Sequence, residues 1–243
     1  PIILVILLIP VSCGKDQKGV KKKVPTKGLT KAKGLANDGS DKSEEGIISG
    51  GQIVVIQDIV FKTGDLTTPY TGLVIWKHKS GNRKREGTCE AGVWNGPSKW
   101  WYTDGTLAGT GTYKNGKWEG DYKEWHENGK QKVQVVFKEG KEEGKEIWWY
   151  DNGKIRSVTA HKAGKKDGKA VGYFESGIKS WEADWINNLP DGEYWEWYDN
   201  KDRKSVLRYA KGRRNGKEEH WFKNNGNSAG KQQKSWEGNW SNE

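Results

Sequence analysis

The chain has no methionine, only two cysteines and only four histidines among 243 residues. Cys13 and Cys89 form no CxxC pair and show no metal-ligand spacing, so the sequence offers neither a zinc module nor a disulfide framework. Long apolar runs are missing beyond the first dozen residues, and 33% apolar residues is too few for a thick aliphatic core. No G-x-S-x-G, P-loop or H-E-x-x-H motif occurs. What the chain does have is 15 Trp and 33 Gly. That combination predicts a thin structure held by aromatic packing and punctuated by turns. The net charge is +10, and nine Lys against five Asp/Glu place +4 of it in residues 14–46. The remaining basic excess is scattered, as a solvated surface requires.

The glycines are in phase. Gly72, Gly96, Gly120, Gly144, Gly168, Gly192 and Gly216 recur every 24 residues and open seven units. Counting each as position zero, position +5 reads Lys77, Trp101, Trp125, Trp149, Tyr173, Trp197 and Trp221. Position +6 reads His78, Tyr102, His126, Tyr150, Phe174, Tyr198 and Phe222. A glycine at +9 follows Asp, Asn or Ser in the first five units, a tight-hairpin signal. A second strand ends at +17 with Cys89, Tyr113, Phe137, His161, Trp185 and Tyr209, and a second glycine turn follows at +20 in most units. Short connections force antiparallel neighbours. The expected fold is all-β, an elongated single-layer antiparallel meander of 24-residue hairpins with about fourteen strands plus a cap. Adjacent +5 and +6 side chains point to opposite faces, and the +17 column is expected to fill between them. Residues 47–71 read as an N-terminal capping half-unit and residues 72–243 as the seven repeats, the last with an insertion at its hairpin tip.

A search for chemistry returns little. His78 and His126 share position +6 but lie two units apart, ~19 Å by strand spacing, too far to share a metal. Acids at +7, Glu127, Asp151, Glu175 and Asp199, repeat at ~9.6 Å, beyond the spacing of a retaining carboxylate pair, and are expected as turn formers. Gly109 and Gly111 follow strand residues with no helix after them, which excludes a phosphate loop. No catalytic residue, metal site or cofactor is expected.

The pattern G-x-x-x-x-W-[YFH]-x-x-G-K, seen in Gly144–Lys154, resembles the bacterial variant of the MORN repeat, and Thr68 to Gly72 resembles the entry to such arrays. The resemblance implies a β-hairpin array over residues 64–243. It also brings an antitoxin label often given to bacterial proteins of this kind, and the membrane apposition and scaffolding linked to eukaryotic arrays. Residues 1–13, PIILVILLIPVSC, fit the apolar core of a signal peptide, with no methionine or basic stretch before them. Their Val11-Ser12-Cys13 ending resembles a bacterial lipobox, with Pro10 where leucine is preferred. That resemblance implies lipidation at Cys13, which leaves Cys89 without a disulfide partner. Residues 14–46 have no aromatic residue and read as a flexible Lys-rich tether.

The expectation is a non-enzymatic protein-binding scaffold, lipid-anchored to a bacterial membrane in the cell envelope, with a protein partner and no nucleic acid. Trp101, Trp125, Trp149, Tyr173, Trp197 and Trp221 form the candidate binding face. Tyr102, Tyr150, Phe174, Tyr198 and Phe222 form the opposite aromatic column. The alternatives are an antitoxin or immunity protein that neutralises a partner toxin, and a glycan-binding envelope protein suggested by the aromatic rows.

Overall fold

Each unit reverses direction twice, and both reversals are built from residues that accept left-handed backbone. The computed structural model describes residues 46–48, 51–56, 59–224 and 232–241. Segment 1–13 with Cys13, most of the Lys-rich stretch and the tip of unit seven fall outside these. The strands are β1 (Gly46–Ile48), β2 (Gly51–Ile56), β3 (Ile59–Lys62), β4 (Asp65–Pro69), β5 (Gly72–Lys77), β6 (Arg83–Glu90), β7 (Val93–Trp101), β8 (Leu107–Lys114), β9 (Lys117–Trp118) and β10 (Gly120–Trp125). They continue as β11 (Gln131–Lys138), β12 (Lys141–Trp149), β13 (Ile155–Lys162), β14 (Lys165–Tyr173), β15 (Lys179–Ile186), β16 (Leu189–Trp197), β17 (Arg203–Ala210), β18 (Arg213–Arg214), β19 (Gly216–Trp221) and β20 (Lys234–Trp240). The described residues contain no helix. From β5 to β20 successive strands pair antiparallel, with β9 and β18 as short pieces preceding β10 and β19. The all-β hairpin meander is as expected. Gly46, assigned to the tether from the sequence, instead opens β1, which pairs with both β2 and β5.

The second turn of each unit is a two-residue reversal with both residues at positive φ. Glu139 and Gly140 sit at 52° and 78°, Ala163 and Gly164 at 51° and 81°. This left-handed pair matches the twist of the flanking strands. The non-glycine member is sterically disfavoured there, and a hydrogen bond from its amide compensates. The acceptor comes from position −1, twenty residues earlier. Ala91, Asn115, Glu139, Ala163, Asn187 and Lys211 donate their amides to side-chain oxygens of Thr71, Asn95, Glu119, Glu143, Asp167 and Asp191. The following amide, at +20, donates to the backbone carbonyl at −2 in all six turns, as in Gly164 to Glu142 at 2.9 Å.

At the opposite edge every first hairpin carries a bulge between +4 and +5. The bulge takes the +5 carbonyl out of the ladder on the side of the preceding unit. The +6 side chain of that unit satisfies it. His78 bonds Trp101 O, Tyr102 bonds Trp125 O, His126 bonds Trp149 O, Tyr150 bonds Tyr173 O and Tyr198 bonds Trp221 O, at 2.7–3.0 Å. Histidine replaces tyrosine here because Nε2–H does the hydroxyl's work. Phe174 has no donor, so the step from unit five to unit six lacks this tie.

One face, the inner face, carries the core. Register places Val74 opposite Gly87, Gly87 opposite Ser98, and Cys89 opposite Trp94. Val74, Cys89, Trp94 and Tyr113 are buried there together with Val60 from β3, and Ile53, Val55, Tyr70, Trp76 and Trp118 pack around them. The N-terminal unit thus folds over the inner face of the first repeats as a second layer. Val60 N bonds Gly92 O and Tyr70 N bonds Val60 O, which fixes it. Arg85 lies against Trp76, Trp94 and Tyr113 and donates to the Tyr113 hydroxyl at 2.8 Å. Glycines within strands make room for the indoles. A Cβ on Gly109 would overlap Trp100, and one on Gly172 would overlap Trp181. These positions carry no left-handed backbone, so their requirement is space.

The +6 ties give a direct prediction. Tyr150→Phe should lower stability by about 1 kcal/mol, and Phe174→Tyr should raise it by a similar amount by supplying the donor for Trp197 O. Denaturant titrations of both variants check this.

Candidate binding surface

The face opposite the core, the outer face, is lined by positions +1, +3 and +5 and by their partners on the second strand. Trp195 alternates with the inner-face residues Tyr194 and Glu196, so it lies on the outer face. Trp197 stacks on Trp195 at 6.2 Å and 22°, and Trp221 stacks on it at 6.4 Å and 13°. Val206, opposite Trp195 in the ladder, is fully buried beneath this group. The +5 column therefore belongs to the outer face, and the same register puts Trp101, Trp125, Trp149 and Tyr173 on that face, without the stacking partner that Trp195 provides. All six are half-buried. Between them the second strand interposes Leu107, Gln131, Ile155, Lys179, Arg203 and Lys234. The row is interleaved with uncharged residues in the first half of the array and with cations in the second. Lys179 Nζ lies 5.0 Å from the Trp197 ring centre and Arg203 lies 5.3 Å from that of Trp195.

The cations are largely neutralised in place. Lys169 and Lys179 pair with Glu182, Arg208 with Glu193, and Lys217 and Lys234 with both Glu219 and Glu237. This patchwork of opposite charges is not the basic track that a phosphate backbone needs. Hydrogen bonds from Lys234 and Lys217 hold the Glu219 and Glu237 carboxyls below their ordinary value. At Glu182 burial works in the other direction, but Lys179 and Lys169 outweigh it.

Other predicted positions fall elsewhere. The +17 column does not fill between the +5 residues. It lies on the inner face with Cys89 and Tyr113, because +17 pairs with residues in register with the core. The opposite column is bound into the fold: Tyr102, Tyr150 and Tyr198 spend their hydroxyls on the next unit, and Phe174 and Phe222 stand in the same position without a donor. The acids at +7 lie in the tip turns as expected, second in each turn closed by the +9 amide, but their side chains do not cap it. Position +8 does that work, with Asp104, Asn128, Asn152 and Asn200 each accepting an amide two residues on. The side-chain amides of Asn128 and Asn152 also reach the +7 carbonyls of the next unit, Asp151 O and Glu175 O. His161 pairs with Glu146 at 3.2 Å and has its Nδ1 buried. Cys89 has its thiol pushed up to about 12 by burial, with Arg85 pulling weakly the other way. It is therefore protonated and unreactive at neutral pH. Among the described residues no three His, Cys, Asp or Glu side chains converge as metal ligands.

The unit that emerges has a glycine-opened strand, an aromatic before a tight tip, a return strand and a second glycine turn. Three of the units match the MORN repeat variant family. The matched segments are residues 94–115, 118–139 and 142–161. Each begins two residues before an opening glycine, in the phase read from Gly96, Gly120 and Gly144. No curated protein matches the chain. Units outside the three MORN segments keep the same ties, through His78 and Tyr198 at one edge and Asp167 and Asp191 at the other. The −1 acceptors were not singled out by sequence, and the in-strand Gly109 and Gly111 were weighed there only as a phosphate loop. The −1 column mixes Thr, Asn, Glu and Asp, and only a shared side-chain oxygen marks it.

The lowered carboxyls set a pH dependence. A carboxyl whose folded value is depressed contributes stability that is complete above its unfolded value and lost as pH falls through the folded one. Thermal unfolding followed by tryptophan fluorescence should therefore show progressive destabilisation below about pH 4.5. Glu219→Gln should flatten that profile.

Proposed function

We propose that the chain is a non-enzymatic protein-binding array that uses its outer-face aromatic row and is tethered to a membrane through Cys13. MORN repeats in general bind proteins and membranes. The observation that supports a protein partner is the outer-face row from Trp101 to Trp221, half-buried and flanked by paired charges. The N-terminal unit packs on the other face and leaves this one clear. Large aromatic side chains with fixed rotamers and a polar tip are the residues that dominate protein interfaces. The row is continuous along the array, so a partner lying along it contacts several units at once, and affinity grows with the number engaged. The non-enzymatic reading draws support from the protonated Cys89 and from histidines at +6 that are committed to backbone carbonyls.

The tether reading rests on the sequence PIILVILLIPVSC and the Lys-rich stretch after it. It places the array in the cell envelope of a bacterium, at a distance set by the tether. An antitoxin or immunity role is a narrower version of the same activity, in which the outer face covers a toxin.

Trp125→Ala combined with Trp149→Ala separates a surface role from a packing role. The full chain and this double variant are used as bait in envelope extracts, and their thermal unfolding is compared. Loss of a specific partner with the melting temperature retained is the expected outcome. Loss of both together assigns the row to the core and contradicts the proposal.

A further inference from the structure

Unit seven repeats unit five with two small residues exchanged for polar ones. In unit five the inner face of the first strand carries Ala170 and Gly172, and the return strand carries Trp181 and Trp185. Trp181 lies down on Gly172 and stacks with Tyr194 at 6.1 Å and 8°. Lys166 lies over the Trp185 ring at 4.8 Å. In unit seven the corresponding residues are Glu218 and His220, with Trp236 and Trp240 on the return strand and Arg214 in the place of Lys166. Arg214 lies over Trp240 at 5.3 Å, as its counterpart does over Trp185. The larger side chains prevent the indole from lying down across the strands. Trp236 instead lies along its own strand over Gly238 and meets His220 edge-on at 5.4 Å and 65°.

The exchange leaves a shallow, open cleft of about 590 Å³ lined by Arg214, Glu218, His220, Phe222, Ser235, Trp236 and Trp240. A cleft this open covers one face of a ligand and leaves the other to solvent. Trp236 and Trp240 are 47% and 45% exposed and Phe222 is 60% exposed, while Glu218 at their base is 4% exposed. The Glu218 carboxylate accepts from His220 Nε2 at 2.7 Å, Arg214 Nη1 at 3.1 Å and Trp240 Nε1 at 2.5 Å. These bonds fix the walls of the cleft. They also balance Arg214 against Glu218, so the cleft offers no unpaired charge of either sign. A cation would have to compete with Arg214 for Glu218, and an anion would have to approach a buried carboxylate. The complementary ligand is uncharged, with a flat C–H face to lie against indole and hydroxyls to take the remaining N–H groups of Arg214 and the Ser235 hydroxyl.

We propose that this cleft is a binding site for a neutral pyranose sugar, stacked on Trp236, flanked by Trp240 and hydrogen-bonded by Arg214. It lies on the inner face, away from the outer-face row, and does not depend on that row having a protein partner. Glu218 is a positioning residue that holds the Arg214 and Trp240 side chains.

The test is calorimetric titration and tryptophan fluorescence of the full chain with cellobiose, maltose and N,N′-diacetylchitobiose. Choline and inorganic phosphate serve as charged probes at the same ionic strength. At least one disaccharide is expected to bind saturably, with the charged probes silent. Trp236→Ala and Arg214→Ala should each weaken that binding about tenfold, and Lys99→Ala on the outer face should leave it unchanged. Phe222→Ala, at the most exposed wall, gives a second reading should Trp236→Ala alter the melting temperature, and it too should weaken binding. Silence of all three disaccharides, binding that survives these substitutions, or saturable binding of choline or phosphate at the cleft overturns the proposal.

Discussion

Two backbone groups per unit have no partner in the strand ladder, and the rest of the structure depends on how they are satisfied. The amide at +19 sits at a left-handed turn residue, and the carbonyl at +5 is turned out by a bulge. The carbonyl is part-buried, where an unpaired group costs about as much as a lost hydrogen bond, while the amide lies at an exposed turn. The first is met by the opening strand of the same unit, and the second needs the neighbouring unit. The −1 oxygen of each unit meets the first, as Glu143 does for Ala163. The +6 side chain of the unit before meets the second, as Tyr150 does for Tyr173. Both distances in sequence are fixed, so a unit one residue longer or shorter would lose both. This is a physical reason for the constancy of the 24-residue step in a chain whose other residues vary widely.

The same constraint sorts the aromatic residues. Position +6 is tied down by its hydrogen bond and belongs to the frame. Position +5 contributes its carbonyl to that bond while its ring extends onto the outer face. Neighbouring aromatics of similar type therefore have different duties, and the bulge decides which has which. The inner face obeys a separate rule where an indole lies down across the ladder: Trp100 and Trp181 each need the glycine opposite them, Gly109 and Gly172. Where unit seven departs from that rule, placing Glu218 and His220 on the floor, the packing opens into a cleft and the buried carboxylate is held by three donors.

Much of the architecture was legible because glycine spacing and tight-turn residues report directly on reversals. The phase, the antiparallel order and the opposite faces of +5 and +6 follow from Gly144–Lys154 and its sisters. The role of each column was less legible. Tyr102 and Trp101 look equivalent as letters, and only the bulge between Trp100 and Trp101 shows that one faces a carbonyl. Gly109, weighed from the sequence only against a phosphate loop, is explained by Trp100 lying on it across the ladder. The N-terminal unit was read as an edge cap, yet Val60 reaches the inner face through contacts with Gly92 and Trp94 that lie more than thirty residues away in sequence. Glu218 shows no motif at all, since its partners come from three positions that converge only in the folded sheet.

The most direct test of the account is amide hydrogen exchange at the six +19 residues, Ala91, Asn115, Glu139, Ala163, Asn187 and Lys211. Turn amides in an isolated hairpin exchange freely with solvent. If each unit is fixed by the side chain at −1, these six should be protected to a degree close to that of the flanking strands, and Glu143→Ala should release Ala163 while leaving Asn115 and Lys211 protected. Rapid exchange at all six in the native chain, with the strands on either side still protected, would contradict it.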